Sequence, residues 1–150
     1  MIEQTLVILK PDALLRWITG KVIDRLEAKG LKLVASKMIL LTDELLRQHY
    51  SHLVDKPFFW NLVDYMTSAP VIVQVWEWKE ATSVVRLMAG VTNPRQAQPG
   101  TIRWDFAIDI PKNVIHASEN WEIAQQEISR FFKQEEIFSY KRIDEDMLYE

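Results

Sequence analysis

Four consecutive apolar residues, Leu6-Val7-Ile8-Leu9, are stopped at once by Lys10-Pro11-Asp12. So short a run suits a central strand with both faces covered, where neither side of the pleat meets water. Proline has no amide hydrogen to give a ladder, so the strand must end before Pro11. Leu6, Ile8 and Lys10 share parity, and Lys10 therefore projects at the strand end. Such a strand forces the rest of the chain to supply more sheet beside it and a covering layer on either side.

The remaining pattern supplies both. Val22, Ile23 and Leu26 form a helical stripe after Thr19-Gly20, with Gly30 placed as its stop. Leu31 to Leu41 reads as a second strand, and Thr42 as the cap of a short helix carrying Leu45, Leu46 and His49. Lys56-Pro57 opens a helix with Phe59, Leu62, Val63 and Met66 on one face, broken by Ser68-Ala69-Pro70. Val71 to Trp78 is β-branched and aromatic and predicts a third strand. Ala81, Val84, Val85 and Met88 predict the next helix, ending at Gly90. Val91 to Lys112 shows no sustained period and reads as a long loop, a kind of segment that is usually functional. A short strand, Asn113 to Ala117, precedes a last helix over Glu119 to Phe132, and residues 133–150 read as a tail packed on a neighbouring surface. Strands and helices alternate without a repeat or linker. The expectation is one domain over 1–150: an α+β, ferredoxin-like sandwich whose four-stranded antiparallel sheet is covered by helices.

Composition excludes several kinds of chemistry. The chain has no cysteine, so disulfides, iron–sulfur clusters, zinc thiolates and cysteine nucleophiles are out. His49, His52 and His116 lack the HExxH spacing of a zinc site. A net charge of −3 gives no bulk positive field for nucleic acid or anionic lipid. No apolar stretch approaches the ~20 residues of a membrane helix, and Glu3 and Gln4 stand where a signal peptide needs basic and apolar residues. The expectation is a cytoplasmic protein.

His116 is the candidate nucleophile. It ends an apolar strand just before a helix, and a neutral imidazole is available near neutral pH; a satisfied core histidine is the plainer alternative. Glu127 lies on the apolar stripe of the last helix with Ala124, Ile128 and Phe131. A carboxylate there needs a partner, and one that accepts a ring N–H fixes the tautomer of a nucleophilic histidine; reaching water from the edge of the stripe is the alternative. Lys10, Arg86 and Arg103, with Thr92 and Asn113, could clamp a polyphosphate, although lone basic side chains are usually just solvated. Phe58, at a helix start, could stack on a base or belong to the core. His49 and His52 read as structural.

Thr5-Leu6-Val7-Ile8-Leu9-Lys10-Pro11-Asp12-Ala13, Lys56-Pro57-Phe58-Phe59, Arg86 with Gly90-Val91-Thr92-Asn93-Pro94, Pro99-Gly100-Thr101-Ile102-Arg103 and Asn113-Val114-Ile115-His116-Ala117-Ser118 follow one another in this order. Together they resemble nucleoside diphosphate kinases, from about residue 2 to 132, with a terminal Leu148-Tyr149-Glu150 like that of longer members. The resemblance implies transfer of the γ-phosphate of ATP, or another NTP, to an NDP through a phosphohistidine. It implies His116 as nucleophile, Glu127 as the carboxylate orienting it, and Ser118 as the hydroxyl beside it. Lys10, Arg86, Thr92 and Arg103 match phosphate-binding groups, and Asn113 a contact to sugar and phosphate. Phe58 and Leu62 match the base slot, and Tyr50 a position near the lysine. Mg2+ is implied with the nucleotide phosphates, with no dedicated protein ligand. A homo-oligomer is also implied, a hexamer rather than a tetramer. Trp104 stands where Gly is common, Ala117 and Ala69 replace Gly, and Glu119-Asn120 replace Asp and Ser. A tryptophan would strain a positive-φ site. Those departures motivate a second reading, a nucleotide-binding module with weak turnover. A third, a nucleic-acid-binding domain, sits badly with the acidic balance.

Overall fold

Strand β1 (Ile2–Leu9) lies inside a four-stranded sheet of order β2-β3-β1-β4. The computed structural model describes residues 1–149. β1 pairs antiparallel with β3 (Val71–Lys79) along its whole length, from Ile2↔Lys79 to Leu9↔Ile72. On its other side it takes the three-residue β4 (Ile115–Ala117), which sets Ile8 opposite His116. β2 (Lys32–Ile39) completes the sheet against β3, with a bulge between Leu33 and Ala35.

The apolar run of β1 splits between two layers, as period-two geometry demands. Leu6 and Ile8 pack with Phe59, Val63, Leu46 and Phe131, from α4 (Phe59–Met66), α3 (Asp43–His49) and α7 (Trp121–Phe131). Val7 and Leu9 pack with Val22, Leu26, Val85 and Ile102, from α2 (Thr19–Lys29), α5 (Ala81–Ala89) and α6 (Ile102–Phe106). All four strand residues are fully buried, each contributing about 1.5–3 kcal/mol of transfer free energy. The fold is the predicted four-stranded antiparallel α+β sandwich.

Capping residues explain where helices begin. Thr42 Oγ1 accepts the Leu45 amide at 3.2 Å, and Asn120 Oδ1 accepts that of Ile123 at 2.8 Å. Asn120 thus does at the start of α7 what a serine would do. Gly30 ends α2 at φ 104°, and a Cβ there would lie 2.8 Å from the Tyr149 hydroxyl.

The long loop is less irregular than its sequence suggests. Pro94–Gln96 makes a 3-10 turn, and Thr101 caps α6 by accepting the Trp104 amide at 3.3 Å. Trp104 therefore has helical backbone and carries no positive-φ strain. It is 46% exposed. A short α1 (Pro11–Leu15) also follows β1 directly, with Pro11 at its first position. The tail returns to its own chain. The Phe138 amide donates to Val34 O at 2.9 Å on the β2 edge, Arg142 donates to Gly30 O at 2.6 Å, and Tyr149 stacks on Trp78 with centroids 3.5 Å apart. It adds a four-residue helix, α8 (Glu145–Leu148). Glu150, part of the terminal resemblance, lies outside the described residues.

Candidate active site

Where β1 ends and β4 begins, the backbone makes an unusual turn. Val114, fully buried, has φ 74°, and the Ile115 amide donates to Asn113 O at 2.8 Å. This is a γ-turn in a conformation costly for a β-branched residue. Two neighbours hold it: Asp12 Oδ2 accepts the Val114 amide at 3.1 Å, and Val114 O accepts the Lys10 amide at 2.9 Å. The Tyr65 hydroxyl donates to the other Asp12 oxygen. The turn delivers Ile115 and His116 into register with β1, so Asp12, which the sequence reading left without a role, helps aim the histidine.

His116 Nε2 lies 2.9 Å from Glu127 Oε2, and Ser118 Oγ donates to Glu127 Oε1 at 2.6 Å. Both carboxylate oxygens are thus engaged. Burial pushes the Glu127 carboxyl up, but hydrogen bonds and charge from His116, the Ser118 hydroxyl and His49 outweigh it and hold it below its ordinary value. An ionised Glu127 keeps the proton of His116 on Nε2 and leaves Nδ1 with its lone pair.

A cavity of about 590 Å³ opens in front of this pair. Its walls include Lys10, Tyr50, Arg86, Thr92, Arg103, Asn113, His116 and Glu127. Three of the cationic wall residues are anchored by neutral groups. Lys10 Nζ donates to Asn113 Oδ1 at 2.7 Å, while Asn113 Nδ2 donates to Thr92 O at 3.0 Å. Arg103 donates to Gly90 O and Ile115 O, both at 2.7 Å. Arg86 donates to Ala117 O at 3.3 Å. Among the described residues no carboxylate forms an ion pair with any of the three. Burial, then the Arg103 charge, pulls the Lys10 ammonium down to about 8 against the opposing pull of Asp12. Burial and then Arg86 lower Arg103 to about 10, opposed by Tyr50. The Tyr50 phenol is raised by burial and by Glu127, so it stays neutral. A site that crowds and desolvates its cations in this way is built for an anion.

Not every residue singled out from the sequence reaches the walls. Ser118 is fully buried behind Glu127. Phe58 caps the start of α4 and is half-exposed, and Leu62 packs on the core; neither lines the cavity. Conversely, the walls include His49, His52, Glu119 and Arg130. His49 reads as structural because it shares the apolar face of α3, yet its ring meets that of His116 edge-on, centroids 4.7 Å apart. Its Nδ1 lies 3.5 Å from Glu127 Oε2 and 3.0 Å from Arg130 Nη1. Burial foremost, then His116, Arg130 and Lys10, lower His49 to about 3, so it is neutral. The spacing of Arg130, one helical turn after Glu127, is the signal that could have found it. His49, His116 and Glu127 each bring one potential ligand atom within 4.8 Å of the others. The Arg130 guanidinium already occupies the His49 lone pair, which makes this a poor metal site.

Comparison with known proteins identifies the family. The sequence model of the nucleoside diphosphate kinase family matches residues 3–137. A nucleoside diphosphate kinase of Archaeoglobus fulgidus is 50% identical, over 99% of this chain and 98% of its own. One from Pyrococcus furiosus is 53% identical over 93% of this chain and 88% of its own. Among solved structures, a halophilic nucleoside diphosphate kinase from Halobacterium salinarum in complex with CDP superposes with a TM-score of 0.96 at 41% identity, covering all of both chains. A Borrelia burgdorferi enzyme with bound vanadate and ADP, described as a transition-state mimic, gives 0.89 at 38% identity, covering 95% of this chain and 94% of that one. The chain belongs to the nucleoside diphosphate kinase family.

Proposed function

We propose that this protein moves a γ-phosphate from ATP, or another NTP, to an NDP, with His116 Nδ1 carrying it between two half-reactions. In the first, an Nδ1–phosphorus bond forms as the bond from phosphorus to the β–γ bridging oxygen breaks, and the NDP leaves with the electron pair. In the second, a terminal oxygen of the incoming NDP attacks the phosphohistidine, and the imidazole leaves with its lone pair restored. The observation that carries this reading is the Glu127–His116 pair at 2.9 Å on the wall of a cavity that also holds Lys10, Arg86 and Arg103.

Phosphoryl transfer needs alignment and charge neutralisation more than covalent help. Lys10, Arg86 and Arg103 meet the phosphates, with Thr92 and Tyr50 beside them. Asn113 spans sugar and phosphate. The stacking role implied for Phe58, with Leu62 beside it, requires the base to lie beyond the cavity walls, where a stacking contact reads few base edges and tolerates many bases. Glu127 and Ser118 hold the nucleophile. Mg2+ fits as a guest of the nucleotide. Glu127 has both oxygens engaged, and the exposed Glu119 is the wall carboxylate left to reach it through water. An ion bound there would supply neutralisation of the phosphate charge. Glu119 would hold its water shell.

A binding module with little turnover is the weaker reading. Trp104 is unstrained and off the walls, Asn120 caps α7, and Ala117 offers the carbonyl that Arg86 uses. We also take the protein to be one domain over 1–150, cytoplasmic, and assembled as a homo-oligomer, a hexamer before a tetramer. The absence of cysteine and of any membrane-length apolar helix among the described residues fits a soluble working place. The decisive test is incubation with γ-labelled ATP. One acid-labile, base-stable phosphohistidine is expected, with transfer to several NDPs, and His116→Ala must lose both. Labelling that survives this substitution overturns the assignment.

A further inference from the structure

We infer that Arg130 acts on the reaction through His49: by holding that ring in one tautomer, it reserves the Glu127 carboxylate for His116. This rests on the proposed role of His116. The protons carry the argument. A guanidinium can only donate, so at 3.0 Å from Arg130 Nη1 the Nδ1 of His49 must be an acceptor. Neutral His49 then carries its proton on Nε2. That nitrogen is buried and has no partner among the described residues. An unmatched buried donor is unfavourable, and a phenylalanine would fill the same space without one. The polarity of the ring therefore serves something other than packing.

The oxygen this ring could otherwise compete for lies 3.5 Å from Nδ1: Glu127 Oε2, the same oxygen that engages His116 Nε2 at 2.9 Å. The other carboxylate oxygen is taken by Ser118. With the proton on His49 Nδ1, two imidazoles would compete for one oxygen. His116 would then be free to place its own proton on Nδ1, the atom that must attack. Arg130 closes that route by occupying the His49 lone pair. The edge-on contact of the two rings, with centroids 4.7 Å apart, turns His49 into a wall that fixes the plane of His116. His49 and Arg130 are positioning residues in this scheme, one turn of α7 and the end of α3 acting together on the nucleophile.

The test is a double-mutant cycle on the full-length protein, read by rapid-mix phosphorylation with MgATP and by the ring-nitrogen NMR shifts of His116. Arg130→Met should slow phosphoenzyme formation by about tenfold, the lower end for loss of a residue that orients a reactive group through another. It should also move the His116 nitrogens toward a tautomer mixture, with nucleotide affinity held within twofold. Arg130→Lys, still a donor, should restore most of the rate. In a His49→Phe background, where no competitor exists, Arg130→Met should cost nothing further. If Arg130→Met leaves the rate and shifts unchanged, the inference is wrong. It is equally wrong if the loss persists undiminished beside Phe, because Arg130 then acts on the nucleotide itself. A His116→Ala control that loses all label while Arg130→Met behaves as wild type defeats this inference and leaves the proposed function standing.

Discussion

Replacing Lys10 by methionine should make the protein more stable and almost inactive. Lys10 is 8% exposed, and its ammonium is lowered from 10.5 to about 8, first by burial and then by Arg103. That fall corresponds to about 3 kcal/mol of extra cost for the charged form in the folded state. Methionine keeps the length and removes the charge. It also strands Asn113 Oδ1, which loses its 2.7 Å donor, an offset of about 1–2 kcal/mol. The net expectation at pH 7 is a gain of about 1–2 kcal/mol, or about 3–6 °C in Tm for a chain of this size. Phosphoenzyme formation should meanwhile fall by about 10²–10³-fold, the usual loss when one charge-stabilising donor is removed. The pH dependence fixes the cause. Because the folded-state value lies below the unfolded one, the unfolded chain binds more protons between about pH 8 and 10.5. The wild type therefore gains stability across that window while the variant does not, and the gap should close. Urea unfolding of both proteins at pH 7, 8.5 and 10 measures it. A variant less stable than wild type at pH 7, or a gap that does not change with pH, refutes the reasoning.

Glu127→Gln should slow phosphorylation by about 100-fold, within the range expected when a positioned acid–base group is lost; single-turnover labelling measures it, and a wild-type rate contradicts the tautomer argument. Glu127 is held below its ordinary 4.5, since the His116 and Ser118 hydrogen bonds outweigh burial. Its contribution is present above that value and disappears as pH falls through the folded-state one, so acid unfolding of the Gln variant should begin without this component. Light scattering should give a mass near six subunits, and a monomer would refute the assembly.

The sheet was readable because its strands are apolar and its breakers unambiguous: Pro11, Gly30, Pro70 and Gly90 fall at or just beyond element ends. Burial on two faces, legible in the unalternating Leu6–Leu9 run, gave the layering. The short helices α1 and α6 were harder. Five residues leave no room for a period of 3.6 to repeat, so only Pro11 and the Thr101 cap marked them. At the site, the polar residues stood out where they broke an apolar pattern, as Glu127 does on its stripe. His49 did not, because a ring beside Leu45 and Leu46 looks like core, and by burial it is. Its importance arises from contact with α7, a pairing 81 residues apart that no local pattern encodes. The γ-turn at Val114 was equally hidden: valine is what a strand wants, and nothing in its neighbours announces a positive φ.

Fastening Lys10, Arg86 and Arg103 by amide and carbonyl dipoles, with no acid of their own, has an electrical consequence. The protein's side of the ledger is fixed before any substrate arrives and does not alter during catalysis. In the proposed reaction the negative charge of the phosphoryl group shifts by a bond length or so inside the same positive envelope as it crosses from nucleotide to imidazole. The total is unchanged until the shortened nucleotide departs. The chemical event is thus nearly neutral for the electrostatics of the cavity. The work against the field falls on the exit of product, so turnover should respond more to salt than the transfer itself does.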